Sequence, residues 1–148
     1  MNMGGAYTGD VYHDVLFQNP GNATNRWLSL KLEGRASNRS AIGARIKVVV
    51  ETPRGPRNIF RWVNSGGSFG CNPLRADIGL GDATRIASAE VFWPTTGKTQ
   101  PVAGLEPNHR YRVVEGEAAA QLLPTATIRF DLSRPMAHPK PGPTAPNP

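Results

Sequence analysis

Residues 27–33 alternate with a period of two: Leu28, Leu30 and Leu32 fall on one side, and Trp27, Ser29, Lys31 and Glu33 on the other. A helix would scatter the leucines around its circumference, whereas a strand gathers them on one face that can be buried while the other stays mostly wet. Further short segments share this character, each closed by glycine or proline. In 44–52 the β-branched residues Ile46, Val48, Val49 and Val50 are interleaved with Arg45, Lys47 and Glu51, Pro53-Arg54-Gly55-Pro56 reads as a turn, and 59–63 reads as the returning strand, so 44–63 is predicted to be a hairpin. Residues 11–17, which end at the turn signal Asn19-Pro20-Gly21, and residues 76–81, 87–93, 102–105 and 111–115 are further strand candidates. Beyond Gly116, residues 117–123 could form about two helical turns, and 126–132 alternate like another strand. Many short strands without a long amphipathic helix predict an all-β domain, an antiparallel sandwich or a barrel-like fold.

The chain is long enough, at 148 residues, for one domain with a hydrophobic core and tails, but short for two. Its proline is concentrated at turns and in residues 133–148, which end PKPGPTAPNP and are predicted to be an extended, disordered tail.

For enzyme chemistry the residue inventory is poor. There is no HExxH, no GxSxG and no nucleotide fingerprint. The glycine-rich run 65–70 lacks the lysine and the following helix of a phosphate-binding loop. Cys71 is the single cysteine, so no intrachain disulfide and no CxxC motif exists; flanked by Gly70 and Asn72 and distant in sequence from His13, His109 and His138, it reads as a small packed side chain. The carboxylates Asp10, Asp14, Asp77, Asp82 and Glu90 show no spacing that singles out a catalytic pair, and a calcium site from Asp10 and Asp14 would lack the DxDxDG run. The expectation is a protein that is not an enzyme, with no catalytic residues, no metal site and no cofactor.

Seventeen Lys and Arg against eleven Asp and Glu give a net charge of +6. Much of the surplus lies in 35–61, where Arg35, Arg39, Arg45, Lys47, Arg54, Arg57 and Arg61 are offset only by Glu51. Such a run is ordinarily a solvated surface. Gathered on one face, it would bind an acidic polysaccharide or another polyanion, with Trp62 as an aromatic platform. Nucleic acid is not an expected partner. No run of eighteen apolar residues predicts a membrane span, and the opening MNMGGAYTGD has neither the basic nor the apolar region of a signal peptide.

Several separated motifs then occur in order: Leu16-Phe17-Gln18-Asn19-Pro20-Gly21, Trp27-Leu28, the run from Ser37 to Arg45 (SNRSAIGAR), Gly66-Gly67-Ser68-Phe69, Ile78-Gly79-Leu80-Gly81 and Val91-Phe92-Trp93-Pro94-Thr95-Thr96-Gly97. Together they resemble the ASPIC/UnbV domain, named for a cartilage acidic protein and a bacterial relative. The resemblance implies a C-terminal β domain of chains carrying FG-GAP or VCBS repeats, which form a β-propeller with calcium-binding loops. It implies a layout of 1–14 as the remnant of a preceding repeat or linker, 15–116 as the β domain, 117–132 as an extension of undetermined structure and 133–148 as the tail. On this reading the chain is a fragment lacking its propeller, any calcium belongs to that missing part, and the full-length parent is secreted or on the cell surface. The implied function is a non-catalytic accessory or interaction module that packs against its own propeller, with an extracellular protein or glycan as a further partner; the alternative is the basic polyanion-binding domain. Among the motif residues, Gly43, Gly79 and Gly81 suit bulges, bends or close backbone approach, Asn38 suits a capped turn, and Trp93-Pro94 closes a strand. Arg39 and Arg45 flank the glycine bend, where they could clamp backbone carbonyls, a carboxylate such as Asp77 or Asp82, or an external anion.

Overall fold

The computed structural model describes residues 21, 24–66 and 72–125. Over these residues the chain forms eight strands: β1 (Arg26–Glu33), β2 (Arg45–Thr52), β3 (Gly55–Trp62), β4 (Ala76–Gly81), β5 (Arg85–Trp93), β6 (Lys98–Pro101), β7 (His109–Val114) and β8 (Gln121–Leu123). They make two four-stranded sheets, ordered β4-β1-β7-β8 and β3-β2-β5-β6. No helix occurs among the described residues, and so none that could cross a membrane. The all-β sandwich expected from the alternating segments is the observed architecture.

The leucines at 28, 30 and 32 are buried, and they share one core with Ile46, Val48 and Val50 of β2, Ile78 and Leu80 of β4, Val91 and Trp93 of β5, and Tyr111 and Val113 of β7. Each strand gives alternate residues to this layer, which is why period-two patterning specified the fold. One pairing departs from an antiparallel arrangement: β1 and β7 run parallel, Leu28 opposite His109 through Glu33 opposite Val114. Parallel neighbours need a long crossover, and here the whole second sheet lies between them in the chain.

Three local expectations change. Gly55 and Pro56 belong to β3 rather than to the turn, leaving Pro53-Arg54 as a two-residue loop whose Arg54 N–H donates to the Thr52 hydroxyl. Pro56 is accommodated because β3 is an edge strand. The strand expected at 102–105 lies earlier, at Lys98–Pro101, where it pairs with β5 as an edge and needs no apolar alternation. Residues 117–123 are not helical: Gln121–Leu123 is β8, paired with β7, and before it Ala118 and Ala120 exchange backbone hydrogen bonds with Ala103 in a parallel bridge. Tertiary pairing overrides the helix propensity of three consecutive alanines.

The strand expected at 11–17, the alternating 126–132, the tail, Cys71 and the possible calcium ligands Asp10 and Asp14 lie outside the described residues.

Candidate functional site

The chain passes from the first sheet to the second through residues 34–44, the run that carries the SNRSAIGAR motif. Asn38 caps a turn there, its Oδ1 accepting the Ser40 N–H at 3.0 Å and its backbone oxygen accepting the Ala41 N–H at 2.7 Å. Ala41 and Gly43 both take positive φ, 56° and 90°. The Gly43 N–H then donates to Val63 O, hooking the loop onto the end of β3.

Glu115, at the end of β7, holds the other side of this loop. Its Oε2 accepts the backbone N–H groups of Arg35, Ala36 and Ser37 at 2.8, 2.9 and 2.8 Å. Its Oε1 accepts the hydroxyls of Ser37 at 2.8 Å and Thr96 at 3.3 Å. Burial alone would raise the pKa of this carboxyl, but the hydrogen bonds from Ser37, Arg35 and Ala36 outweigh it and hold the value at about 2. Gln100 completes the cluster: its Oε1 accepts from Trp93 Nε1 and Gly116 N, and its Nε2 donates to Val114 O and Glu117 O. A cavity of about 470 Å³ adjoins these residues, and in its wall Trp93 is bonded to Gln100 and Thr96 to Glu115. Glu115 and Gln100 passed unnoticed in the sequence, where a single acid or amide at a strand end carries no spacing signal.

The structure disperses the basic run. Arg39 pairs with Glu33 at 2.9 Å, and Glu33 also accepts from Arg112, whose hydrogen bond is the main cause of a pKa below the usual carboxylate range. Arg35 pairs with Glu117, and Lys47 with Glu90 at 3.4 Å. Asp77 is engaged by Arg75 and by the Ser29 hydroxyl, not by Arg39 or Arg45. Burial opposes its ionisation, and the hydrogen bonds from Arg75 and Ser29 more than offset this and lower its pKa.

Two surfaces remain. The first is the outer face of the second sheet. Direct cross-strand partners share a face, so Trp62, Arg45 and Phe92 form one row and Phe60, Lys47 and Glu90 the next. The Arg45 guanidinium lies 5.3 Å from the Phe92 ring centre, while Trp62 and Phe60 are 56% and 43% exposed. The second surface is the seam between the edge strands β3 and β4. Arg57 and Arg61 alternate with Phe60 and Trp62 along β3 and therefore face the seam, with Arg54 in the adjoining turn. Trp62 and these arginines, grouped in the sequence as one polyanion site, thus lie on opposite faces of a strand. Arg57 donates to Leu80 O at 2.6 Å across the seam, beside Gly81, whose φ is 57°. The register slips at Arg26 and Trp27, which face Gly81 and Gly79, so both glycines sit at an irregularity in the ladder. Trp93 is buried, and Pro94 opens the turn after it, beside Gly43.

Among the described residues no group of three or more His, Cys, Asp or Glu side chains is placed to hold a metal. A family model described as ASPIC and UnbV matches residues 34–120, from the first glycine of the motif loop to the residue before β8. No curated protein and no solved structure matches the chain significantly.

Proposed function

The chain belongs to the ASPIC/UnbV family, a domain of FG-GAP repeat proteins, and from that premise we propose that it is a non-catalytic interaction module of a secreted or cell-surface protein, docking on a β-propeller of FG-GAP repeats. The observation that carries this reading is the outer face of the second sheet. Exposed Trp62 and Phe60 beside Arg45 and Phe92 have the composition of an interface core, where aromatic and arginine side chains are enriched and supply most of the binding energy. A non-catalytic reading is supported by the state of three carboxylates: Glu115, Glu33 and Asp77 are each committed to loop amides, a hydroxyl or arginines, which suits an architectural role.

Titration calorimetry of this chain against a separately purified FG-GAP propeller from the family tests the proposal. Binding is expected, and Phe60→Ser with Trp62→Ser should weaken it at least tenfold, about 1.4 kcal/mol or more, as loss of two interface aromatics does. The same double variant should bind less of a hydrophobic dye. No binding, or binding that survives the double substitution, would overturn the assignment of this face.

A further inference from the structure

The ion pairs sort the basic residues into two classes. Arg35, Arg39, Lys47, Arg75, Arg85 and Arg112 each have a carboxylate partner. Arg54, Arg57 and Arg61 enter none of the ion pairs among the described residues, and all three belong to the β3 hairpin where it borders β4. Their remaining hydrogen bonds go to backbone: Arg57 to Leu80 O and Arg61 to Phe60 O. Arg26, opposite Gly81 in register, adds a further cation near Arg57. Lys31, Arg45, Lys98 and Arg110 also enter none of these ion pairs but stand on other strands, so the β3 hairpin is where three such cations follow one another along one line.

That line has a concavity at each end. One, of about 300 Å³, is lined by Thr52, Arg54, Arg57 and Asp82. The other, of about 230 Å³, is lined by Arg61, Trp62, Asn64, Asn72, Arg75 and Asp77. Each therefore combines two guanidinium groups with one carboxylate and with hydroxyl or amide groups, although in the second Arg75 is paired with Asp77, leaving Arg61 as the guanidinium without a carboxylate partner. Guanidinium forks match carboxylate or sulfate oxygens, while the Asp, Asn and Thr groups suit sugar hydroxyls. Arg57 and Arg61 stand four residues apart on a strand, roughly 13 Å, so one small anion cannot reach both ends but a polymer with repeated acidic groups can. A nucleic acid fits less well: of the aromatic side chains that could stack on bases, Phe60 lies on the other face of β3 and Trp62 alone borders a concavity.

We propose that the β3–β4 seam binds a linear acidic polysaccharide, its acidic groups held by Arg54 and Arg57 at one end and by Arg61 at the other. This surface meets the aromatic face assigned to the propeller only at Trp62, which borders the concavity at the Arg61 end.

The probe is a heparin octasaccharide, titrated calorimetrically at near-physiological salt against the full 148-residue chain. Binding is expected to weaken steeply with salt. Arg54→Ala, Arg57→Ala and Arg61→Ala together should reduce affinity at least about tenfold, the scale of losing several charge-assisted contacts. Lys31→Ala, Arg85→Ala and Lys98→Ala, which remove the same charge elsewhere, should change it far less. Should the seam triple variant fail to melt cooperatively, Arg61→Gln alone serves and is expected to weaken binding about threefold. Phe60→Ser alone, which touches the aromatic face and lines neither concavity, should leave octasaccharide affinity intact, so failure at the seam and failure at the aromatic face are read separately. No binding by the unaltered chain, equal losses in the two triple variants, full affinity in the seam variant, or equal affinity for an oligothymidylate of matching charge would each overturn the proposal.

Discussion

Replacing Glu115 by alanine is expected to lower the unfolding free energy by about 3–5 kcal/mol, the range seen when a buried charge network loses its centre. The substitution strips the acceptor from three consecutive backbone N–H groups and from the Ser37 and Thr96 hydroxyls at once. Each charge-assisted bond contributes roughly 1.5–3 kcal/mol in isolation, but the five share one carboxylate and water can reach part of the loop, so the total falls well below their sum. The same geometry predicts a pH dependence. The folded pKa of about 2 lies below the ordinary 4.5, so the unfolded chain binds the proton more tightly and acid favours unfolding. The contribution is complete above about pH 4.5 and is lost as the pH falls from there toward 2, in all about 3 kcal/mol. Urea unfolding of the unaltered chain and of Glu115→Gln, each at pH 6 and pH 3, isolates the effect from Glu33 and Asp77, which shift in the same direction. Glu115→Gln should lose about 2 kcal/mol less between those two pH values, since the span from about pH 4.5 to pH 3 covers most of the range over which the Glu115 contribution is lost. An identical acid sensitivity in both proteins would remove Glu115 from its assigned role.

What the sequence disclosed and what it hid follow from the range of the interactions concerned. β1, β2, β4, β5 and β7 were legible because each sends alternate side chains into one core, and burial imposes that period directly on the residue order. β6 was misplaced because Lys98–Pro101 is an edge strand that buries little, so its pairing with β5 leaves no apolar mark. A helix is expected at β8 because Ala118, Ala119 and Ala120 favour one locally, whereas the bonds of Ala118 and Ala120 to Ala103 come from fifteen or more residues away. The motif loop was recognised, but its anchor was not: Glu115 is separated from Ser37 by 78 residues. The basic run misled for the same reason. Linear proximity joins Arg57 and Arg61 to Trp62, while strand alternation places them on opposite faces and carboxylates outside the run neutralise Arg35, Arg39 and Lys47.

Gly34→Ala is expected to cost about 3–4 kcal/mol, a large value for one added methyl group and the mark of a backbone collision rather than lost conformational freedom. In the sequence Gly34 is simply where β1 stops. In the structure a Cβ at this position would lie 2.3 Å from the Asn38 carbonyl oxygen and 2.7 Å from that of Ser37. Neither oxygen can swing aside as a side chain would. The Asn38 oxygen accepts the Ala41 N–H, and Ser37 is held through both its N–H and its hydroxyl by Glu115. Relief therefore requires the loop to leave Glu115. Gly43→Ala makes the contrast: its φ of 90° is unfavourable for alanine, but the added Cβ would be 3.5 Å from Pro94, an ordinary contact, so only about 1–2 kcal/mol is expected. Because Gly34→Ala and Glu115→Ala release the same segment, their combination should destabilise by about 2 kcal/mol less than the sum of the single effects. A double-mutant cycle in urea measures this coupling. Additivity within about 0.5 kcal/mol would show that the glycine and the carboxylate act independently, and that residues 34–44 are not the single clamped unit their hydrogen bonds describe.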